Sequence, residues 1–182
     1  CINADHFKGA YDATLELCRR GHRRIATIIG TPGYHSTVSR FDGFTKALVD
    51  ECGNGDSYVR LQGDWTFGSG YMAMKELLDQ SGPPPTALFA QNDLMAIGAM
   101  EAIKEAGLSI PEDISVMGFD DVEQCEFSHP KLSTVHVDID SMTSNACKIM
   151  MDRLQTRGTE GFQVIIPTRL VMRQSVAHEA SS

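Results

Sequence analysis

The chain has 182 residues, of which 42% are hydrophobic and 22% are charged, and this composition is typical of an ordinary globular protein with a sizeable core. Its formal net charge of −8 repels a phosphate backbone, so the chain itself is not expected to bind nucleic acid. No apolar run approaches the length of a membrane span and no secretory signal pattern opens the sequence, so no membrane partner is expected.

Cysteine usage and the glycine-rich loops limit the chemistry further. The five cysteines are odd in number, widely spaced and without a CxxC pair, which favours reduced, mostly buried thiols of a cytoplasmic protein: Cys1, Cys18, Cys52, Cys125 and Cys147. Neither GxGxxG nor GxxxxGK followed by Ser or Thr occurs, so the loop GDWTFGSGY is not expected to cradle phosphates. We therefore expect neither a metal nor a cofactor.

The N-terminal part of the chain is predicted to alternate strands with helices. Cys1 to Ala4 is expected to end a strand, and the helix that follows it starts near Asp5 and is closed by Gly21. Ile25–Ile29 is a short β-branched run and is predicted to be the next strand. The second helix has Arg40 in its first turn and a predicted apolar face composed of Val38, Phe41, Thr45, Leu48 and Cys52.

The middle of the chain contains a predicted βαβ unit. Its first strand, Ala87–Ala90, is an unbroken apolar run, as expected for a strand buried on both faces of a parallel sheet. Asp93 is expected to cap a helix that runs to Ala106, and a second strand covers Ser115–Phe119. The remaining predicted elements are a strand at Tyr58–Leu61, a helix from about Ser69 to Gln80, an extended segment at Leu132–Val137, a helix from about Ser141 to Leu154, and strands at Phe162–Ile166 and Arg169–Arg173.

Four polar or aromatic residues each follow a different predicted strand: Arg40, Trp65, Asn92 and Asp120. Because a parallel sheet gathers the carboxyl ends of its strands along one edge, these residues are expected to meet there. A guanidinium donor, an amide and a carboxylate suit a ligand rich in hydroxyl groups, and an indole ring can stack on a sugar or a base. The sequence therefore predicts a recognition site.

Each candidate also has a purely structural interpretation. Arg40 can pair with a surface carboxylate, Trp65 can cover the core, Asn92 can cap a helix, and Asp120 can hold a turn. An enzyme is the least favoured class, because the adjacent Asp120 and Asp121 have no metal-spaced partners and no activated nucleophile accompanies them. No catalytic residue is predicted.

The strings PTALFAQNDLMAIGAM and GLSIPEDISVMGFDD closely resemble the effector-binding core of LacI/GalR-type bacterial transcription regulators. The resemblance implies an α/β parallel-sheet, periplasmic-binding-protein-like fold, with one complete lobe and part of a second. It places residues 7–134 in the C-terminal lobe, 135–167 in a segment that returns to the N-terminal lobe, and 168–176 in a final strand back in the C-terminal lobe. Most of the N-terminal lobe and the whole DNA-binding headpiece are expected to be absent from this chain.

The resemblance also bears on the four candidates. The motifs RxxGF, the aromatic after GD, ND and the first Asp of FDD match positions that contact effectors in relatives, and they correspond here to Arg40, Trp65, Asn92 and Asp120. The string TVSR at Thr37–Arg40 also occurs in the DNA-reading helix of this family. Since no helix-and-turn sequence precedes it and RFDGF follows it, we reject a DNA-reading role.

The favoured function is therefore the effector-binding and dimerisation part of a cytoplasmic regulator. The resemblance implies that a small molecule, sugar-like by the chemistry of the site, closes two lobes and changes how a homodimer presents its headpieces to operator DNA. The alternative is a sugar-binding receptor for a membrane transporter, which shares the fold and the type of site. An upstream helix-turn-helix would favour the regulator, and an upstream secretory signal would favour the receptor.

Overall fold

The structure is a computed structural model that describes residues 1–53, 58–156 and 163–179. Its central element is a four-stranded parallel sheet with the strand order β3-β2-β4-β5. The strands are β1 (Ile2–Ala4), β2 (Ile25–Ile29), β3 (Tyr58–Gln62), β4 (Ala87–Ala90), β5 (Ser115–Met117), β6 (Thr134–Val137), β7 (Val164–Ile166) and β8 (Thr168–Val171). The helices are α1 (His6–Arg19), α2 (His35–Ala47), which a π-helical turn extends over Leu48–Cys52, α3 (Phe67–Leu78), α4 (Asp93–Glu105), α5 (Gln124–Phe127) and α6 (Ile139–Thr156).

The two central strands, β2 and β4, are buried along their whole length because helices cover both faces of the sheet. Side chains that alternate along β4 enter two different cores, as the pleat of a strand requires. Leu88 and Ala90 pack in the core shared with α3 and α4, whereas Ala87 and Phe89 pack in the core shared with α1 and α2. The unbroken apolar run that predicted β4 therefore serves both cores.

The helices on each face approach each other closely at glycines. A methyl group on Gly70 of α3 would overlap the backbone of Met95, and one on Gly98 of α4 would overlap the carbonyl oxygen of Phe67. On the other face, a methyl group on Gly43 of α2 would overlap the carbonyl oxygen of Phe7. The helix pairs α3–α4 and α1–α2 therefore tolerate no larger residue at these three contacts.

Two smaller sheets complete the chain. β6 pairs antiparallel with β8, and isolated bridges from Ser133 to Met117 and from His136 to Asp120 join β6 to the end of β5. β1 pairs in parallel with β7, and α6 lies against β1. The chain thus leaves the central sheet through β6 and comes back to it through β8.

The face predicted for α2 is only partly right, because Leu48 is buried and Phe41 packs half-buried against the core, whereas Val38 is 53% exposed. The buried residues of α2 itself are Thr37, Arg40, Gly43, Phe44 and Ala47. The helix is turned so that a charged residue also faces inward, and the hydrophobic spacing therefore missed part of the buried stripe. The helix also begins at His35, which puts Arg40 in the second turn instead of the first.

Several predicted boundaries also move. Asn92, not Asp93, is the N-cap of α4, because its side-chain oxygen accepts a hydrogen bond from the Met95 amide. Thr66 caps α3, which therefore begins at Phe67 instead of near Ser69. The short helix α5 was not predicted, and the predicted start of β7 at Phe162 lies outside the described residues.

Cys18 and Cys125 are buried as predicted, but Cys1 and Cys147 are exposed, and the side chain of Cys52 lies outside the description.

Candidate functional site

Arg40 lies at the centre of the candidate site, on the side of α2 that faces the carboxyl edge of the sheet. Only 5% of the residue is exposed. Its Nη2 donates to Oδ1 of Asp120 at 2.9 Å, and its Nη1 donates to the carbonyl oxygen of Gln91. The guanidinium lies over the ring of Phe119, with Cζ 3.7 Å from the ring centroid. These contacts hold the guanidinium in one orientation, because they involve Nη1, Nη2 and the face of the group.

Asp120 and Asp121 follow β5 in an unusual backbone conformation. Their φ angles are 111° and 63°, in the left-handed region that side chains other than glycine rarely adopt. The Asp120 amide donates to the carbonyl oxygen of Val135 at 2.8 Å, which fixes the turn against β6. The Asp120 side chain is 36% exposed, so it reaches both Arg40 and the solvent. Burial acts to raise the pKa of the Asp120 carboxyl, and the positive charge of Arg40 opposes that rise.

Asp121 has partners of its own. Its Oδ2 lies 2.8 Å from Nδ1 of His136 on β6, and its Oδ1 accepts from Nη2 of Arg173 at 2.8 Å. Burial acts to raise the pKa of Asp121, but the hydrogen bonds from Arg173 and His136 outweigh it and hold that pKa below its usual value. Asp121 therefore ties the turn to β6 and to the segment that follows β8.

Trp65 also has a left-handed backbone, with a φ angle of 75°. Its indole ring lies directly against Gly30 at the end of β2, where an added methyl group would overlap the ring. The Arg40 Cζ atom lies 5.7 Å from the centroid of the indole ring, so the ring and the guanidinium border the same space. The ring is also partly buried against the α3–α4 core, as the structural interpretation proposed.

Asn92 connects two parts of the site. Besides capping α4 through Oδ1, its side chain donates from Nδ2 to the carbonyl oxygen of Trp65 at 2.9 Å. The capping role anticipated for Asn92 is therefore present. In addition, Asn92 stabilises the backbone of the loop that carries the indole. All four predicted residues thus come together at one edge of the sheet.

Two residues of this cluster were missed by sequence reasoning. The first is Gln91, which is buried at the end of β4. Its Oε1 accepts from the Gly30 amide at 2.9 Å and its Nε2 donates to the carbonyl oxygen of Thr37 at 3.1 Å. Gln91 therefore links β2, β4 and α2 directly beneath the site. Its position immediately after a buried strand is the sequence signal that could have identified it.

The second missed residue is His6, in the first turn of α1. Its Nδ1 lies 3.3 Å from both Nε and Nη2 of Arg40, and its ring is tilted against Phe119 at a centroid distance of 6.0 Å. Burial, together with the positive charges of Arg40 and His35, lowers the pKa of His6 to about 4. His6 follows β1 as the other candidates follow their strands, but β1 belongs to a separate small sheet whose position the sequence does not specify.

The arrangement suits recognition of a polar small molecule. It combines a fixed guanidinium, a partly exposed carboxylate and an aromatic ring. Across the described ranges, no group of three or more His, Cys, Asp or Glu residues is arranged to hold a metal ion. Within the same ranges, no helix combines the length and the apolar character that crossing a membrane requires.

The sequence and the fold both resemble known regulators. Residues 14–176 match the periplasmic binding protein-like domain family. The HTH-type transcriptional repressor PurR of Salmonella newport is 39% identical over 171 residues, which are 94% of this chain and 50% of that protein. The chain thus spans about half the length of the curated relatives it matches. These relatives are named as transcription regulators, which supports the expectation of a site without catalysis.

Solved structures give the same result. The transcriptional regulator CelR–cellobiose complex superposes with a TM-score of 0.87 at 33% identity, over 96% of this chain and 53% of that one. A LacI family regulator from Enterococcus faecium with bound ribose gives 0.91 at 32% identity, over 98% and 66% of the two chains. A dimeric Lac repressor gives 0.89 at 30% identity, over 97% and 64%. The chain therefore belongs to the LacI family of transcription regulators, and it spans part of their periplasmic-binding-protein-like effector domain.

Proposed function

We propose that this chain is the effector-binding region of a ligand-responsive transcription regulator, and that it binds a sugar or a related metabolite through Arg40, Trp65, Asn92 and Asp120. The observation that carries the proposal is the buried Arg40, which is paired with the partly exposed Asp120 and lies beside the Trp65 ring. Charged hydrogen-bonding groups next to an aromatic face are suited to the hydroxyl groups and the apolar face of a sugar ring. Sugars bound to the two related regulators support this ligand class.

The mechanism follows from the proposed division into lobes. Residues 7–134 and 168–176 form the C-terminal lobe, and residues 135–167 return to the N-terminal lobe, so β6 and β8 connect the lobes. An effector that binds the closed arrangement more tightly than the open one shifts the population of the two. In a cytoplasmic homodimer built on the helices near Tyr71–Leu78 and Met95–Met100, this shift changes the spacing of headpieces on operator DNA. The dimeric Lac repressor supports the homodimer.

Affinity measurements on the complete two-lobed protein test the proposal. Ribose and cellobiose are titrated calorimetrically, after a thermal-shift screen that also covers other sugars, sugar phosphates and nucleobases. Asp120→Asn removes the carboxylate charge and Arg40→Ala removes the guanidinium. Because a charge-assisted hydrogen bond contributes about 1.5–3 kcal/mol, each change is expected to weaken binding by about tenfold to a hundredfold.

The matched control is Asp113→Asn. Asp113 precedes β5 at the opposite edge of the sheet, where its carboxylate accepts a hydrogen bond from the Ser109 amide at 2.7 Å. The asparagine retains an acceptor, so this variant should bind as the wild type does. Unchanged affinity in both Asp120→Asn and Arg40→Ala, with native melting behaviour, would show that the ligand binds elsewhere.

A further inference from the structure

We propose that His6 is a positioning residue of this site: its uncharged imidazole holds the Arg40 guanidinium in the orientation in which it meets Asp120. The part of the proposal that concerns ligand affinity rests on the proposed function. The part that concerns the His6–Arg40 contact stands on the geometry alone. Unlike Trp65, Asn92 and Asp120, His6 does not follow a strand of the central sheet. It lies at the start of α1, which follows the separate strand β1.

The contact itself determines how the imidazole is protonated. Arg40 has only donors, and both its Nε and its Nη2 lie 3.3 Å from Nδ1 of His6. Nδ1 must therefore accept, and the single ring proton of a neutral histidine resides on Nε2. The guanidinium also donates from Nη1 to the Gln91 carbonyl oxygen and from Nη2 to Asp120. His6 supplies the contact at Nε, which no other described residue makes. This contact keeps the guanidinium from rotating away from Asp120.

The charges around His6 keep the ring neutral. Arg40 and His35 face it from α2, and Asp5 faces it from the cap of its own helix. Asp120 pairs with the guanidinium through Nη2, the same atom that Nδ1 of His6 approaches. Burial and the cation of Arg40 lower the pKa of His6 to about 4, so the ring is uncharged at neutral pH. Protonation would place a hydrogen on Nδ1 against Arg40, and the two cations would repel.

Packing alone does not account for the residue. The His6 ring meets Phe119 in a tilted arrangement with the centroids 6.0 Å apart, a contact that an aliphatic side chain of similar size would also fill. In addition to packing, His6 supplies a hydrogen-bond acceptor to Arg40, which an aliphatic side chain cannot do. Two variants separate these roles: His6→Leu keeps the bulk and removes the acceptor, whereas His6→Asn keeps an acceptor close to the place of Nδ1.

The first experiment needs no effector. The complete two-lobed protein is labelled with ¹⁵N-histidine and ¹⁵N-arginine, and the His6 and Arg40 signals are identified by their loss in His6→Asn and Arg40→Ala. We expect a neutral imidazole with its proton on Nε2, which titrates at a pKa of about 4, far below the ordinary value of 6.5. We also expect the Arg40 Nε–H signal to be protected from solvent exchange in the wild type and in His6→Asn, and unprotected in His6→Leu. A proton on Nδ1, or titration near 6.5, would overturn the proposal.

The second experiment measures binding of ribose and of cellobiose to the same proteins. His6→Leu should weaken binding by about tenfold, the effect of losing one hydrogen bond that orients a charged group, and His6→Asn should restore most of that loss. Equal affinity of His6→Leu and the wild type, at equal melting temperature, would contradict a positioning role. If neither sugar binds the wild type, the effector is not one of these two sugars, and the NMR measurement alone decides the role of His6.

Discussion

Asp93 connects the first turn of α4 to the Asp120–Asp121 turn and to β6. The side chain is fully buried in the first turn of α4, where Oδ1 accepts from the Thr134 hydroxyl at 2.5 Å and Oδ2 accepts from the Val122 amide at 2.9 Å. Val122 follows the Asp120–Asp121 turn and Thr134 begins β6. Burial raises the pKa of Asp93 to about 6, because these two hydrogen bonds only partly compensate for the loss of water.

This raised pKa makes stability depend on pH. The folded protein favours the protonated carboxyl, so the contribution of Asp93 to the free energy of unfolding is fully present below the unfolded pKa of 3.8 and is lost as pH rises through about 6. Asp93→Asn cannot ionise. Between pH 4 and pH 7 the wild type should therefore lose about 3 kcal/mol relative to this variant, the equivalent of about two pKa units.

Calorimetric melting of the two proteins at several pH values between 4 and 7 measures this difference. Asp42→Asn, which removes an exposed carboxylate on α2, is the control and should follow the wild type across the whole range. A constant difference in stability between wild type and Asp93→Asn would mean that Asp93 is not perturbed by its burial.

The site residues show which information a sequence carries. Arg40, Trp65, Asn92 and Asp120 were predictable because each follows a strand, and the parallel sheet that aligns strand ends was itself predictable. The role of His6 was not, because it depends on how close α1 comes to α2, and that approach involves contacts between residues distant in sequence, such as Gly43 against Phe7. Whether the four predicted residues contact a ligand stays a prediction.

At the scale of elements, the contact between α3 and α4 depends on glycines. Gly70 and Gly68 lie in the same helix, but a methyl group on Gly70 would overlap the backbone of Met95, whereas one on Gly68 would meet nothing within 4 Å. Backbone atoms cannot rotate away as a flexible side chain can. Gly70→Ala should therefore destabilise the fold by about 1–3 kcal/mol through overpacking.

Gly68→Ala is the matched control and should act in the opposite direction. It adds a better helix former at an open position, so we expect stabilisation by about 0.5–1 kcal/mol. Denaturant unfolding of the two variants measures both effects. If both substitutions changed stability by the same amount and in the same direction, close approach at Gly70 would not limit the packing of these helices.

The elements that sequence patterns predicted well are those with one dominant physical cause. The boundaries of β2 and β4 agree with their predicted ranges because a strand buried on both faces must be apolar throughout. The buried face of α2 was predicted only in part because it contains Arg40, whose burial is compensated by Asp120, a residue 80 positions away. Hydrophobic spacing assigns charged residues to the outside and has no means of anticipating such a partner.

At the scale of the whole molecule, α6 presents an apolar surface to solvent. Its exposed hydrophobic residues include Leu154, which is 73% exposed, together with Ile139, Met150 and Met151. Contiguous exposed apolar residues on a helix favour association. We therefore expect the 182-residue chain to self-associate, and Met150→Lys or Leu154→Lys to reduce this association.

Analytical ultracentrifugation over a range of concentrations tests this expectation. Gln124→Lys adds the same charge at an exposed polar position on α5 and should leave association unchanged. A chain that stays strictly monomeric at high concentration and unfolds cooperatively would contradict it.

The left-handed backbone at Trp65, Asp120 and Asp121 is a strained conformation that other contacts hold in place. Glycine would relieve the strain at all three positions, but it would also remove the Trp65 ring from the α3–α4 core and the carboxylate partners of Arg40 and Arg173. A buried cation left without its carboxylate costs more than the strain that glycine would relieve. An engineer who optimises this scaffold for robustness should therefore leave these three positions unchanged, although their backbone angles alone would single them out for replacement by glycine.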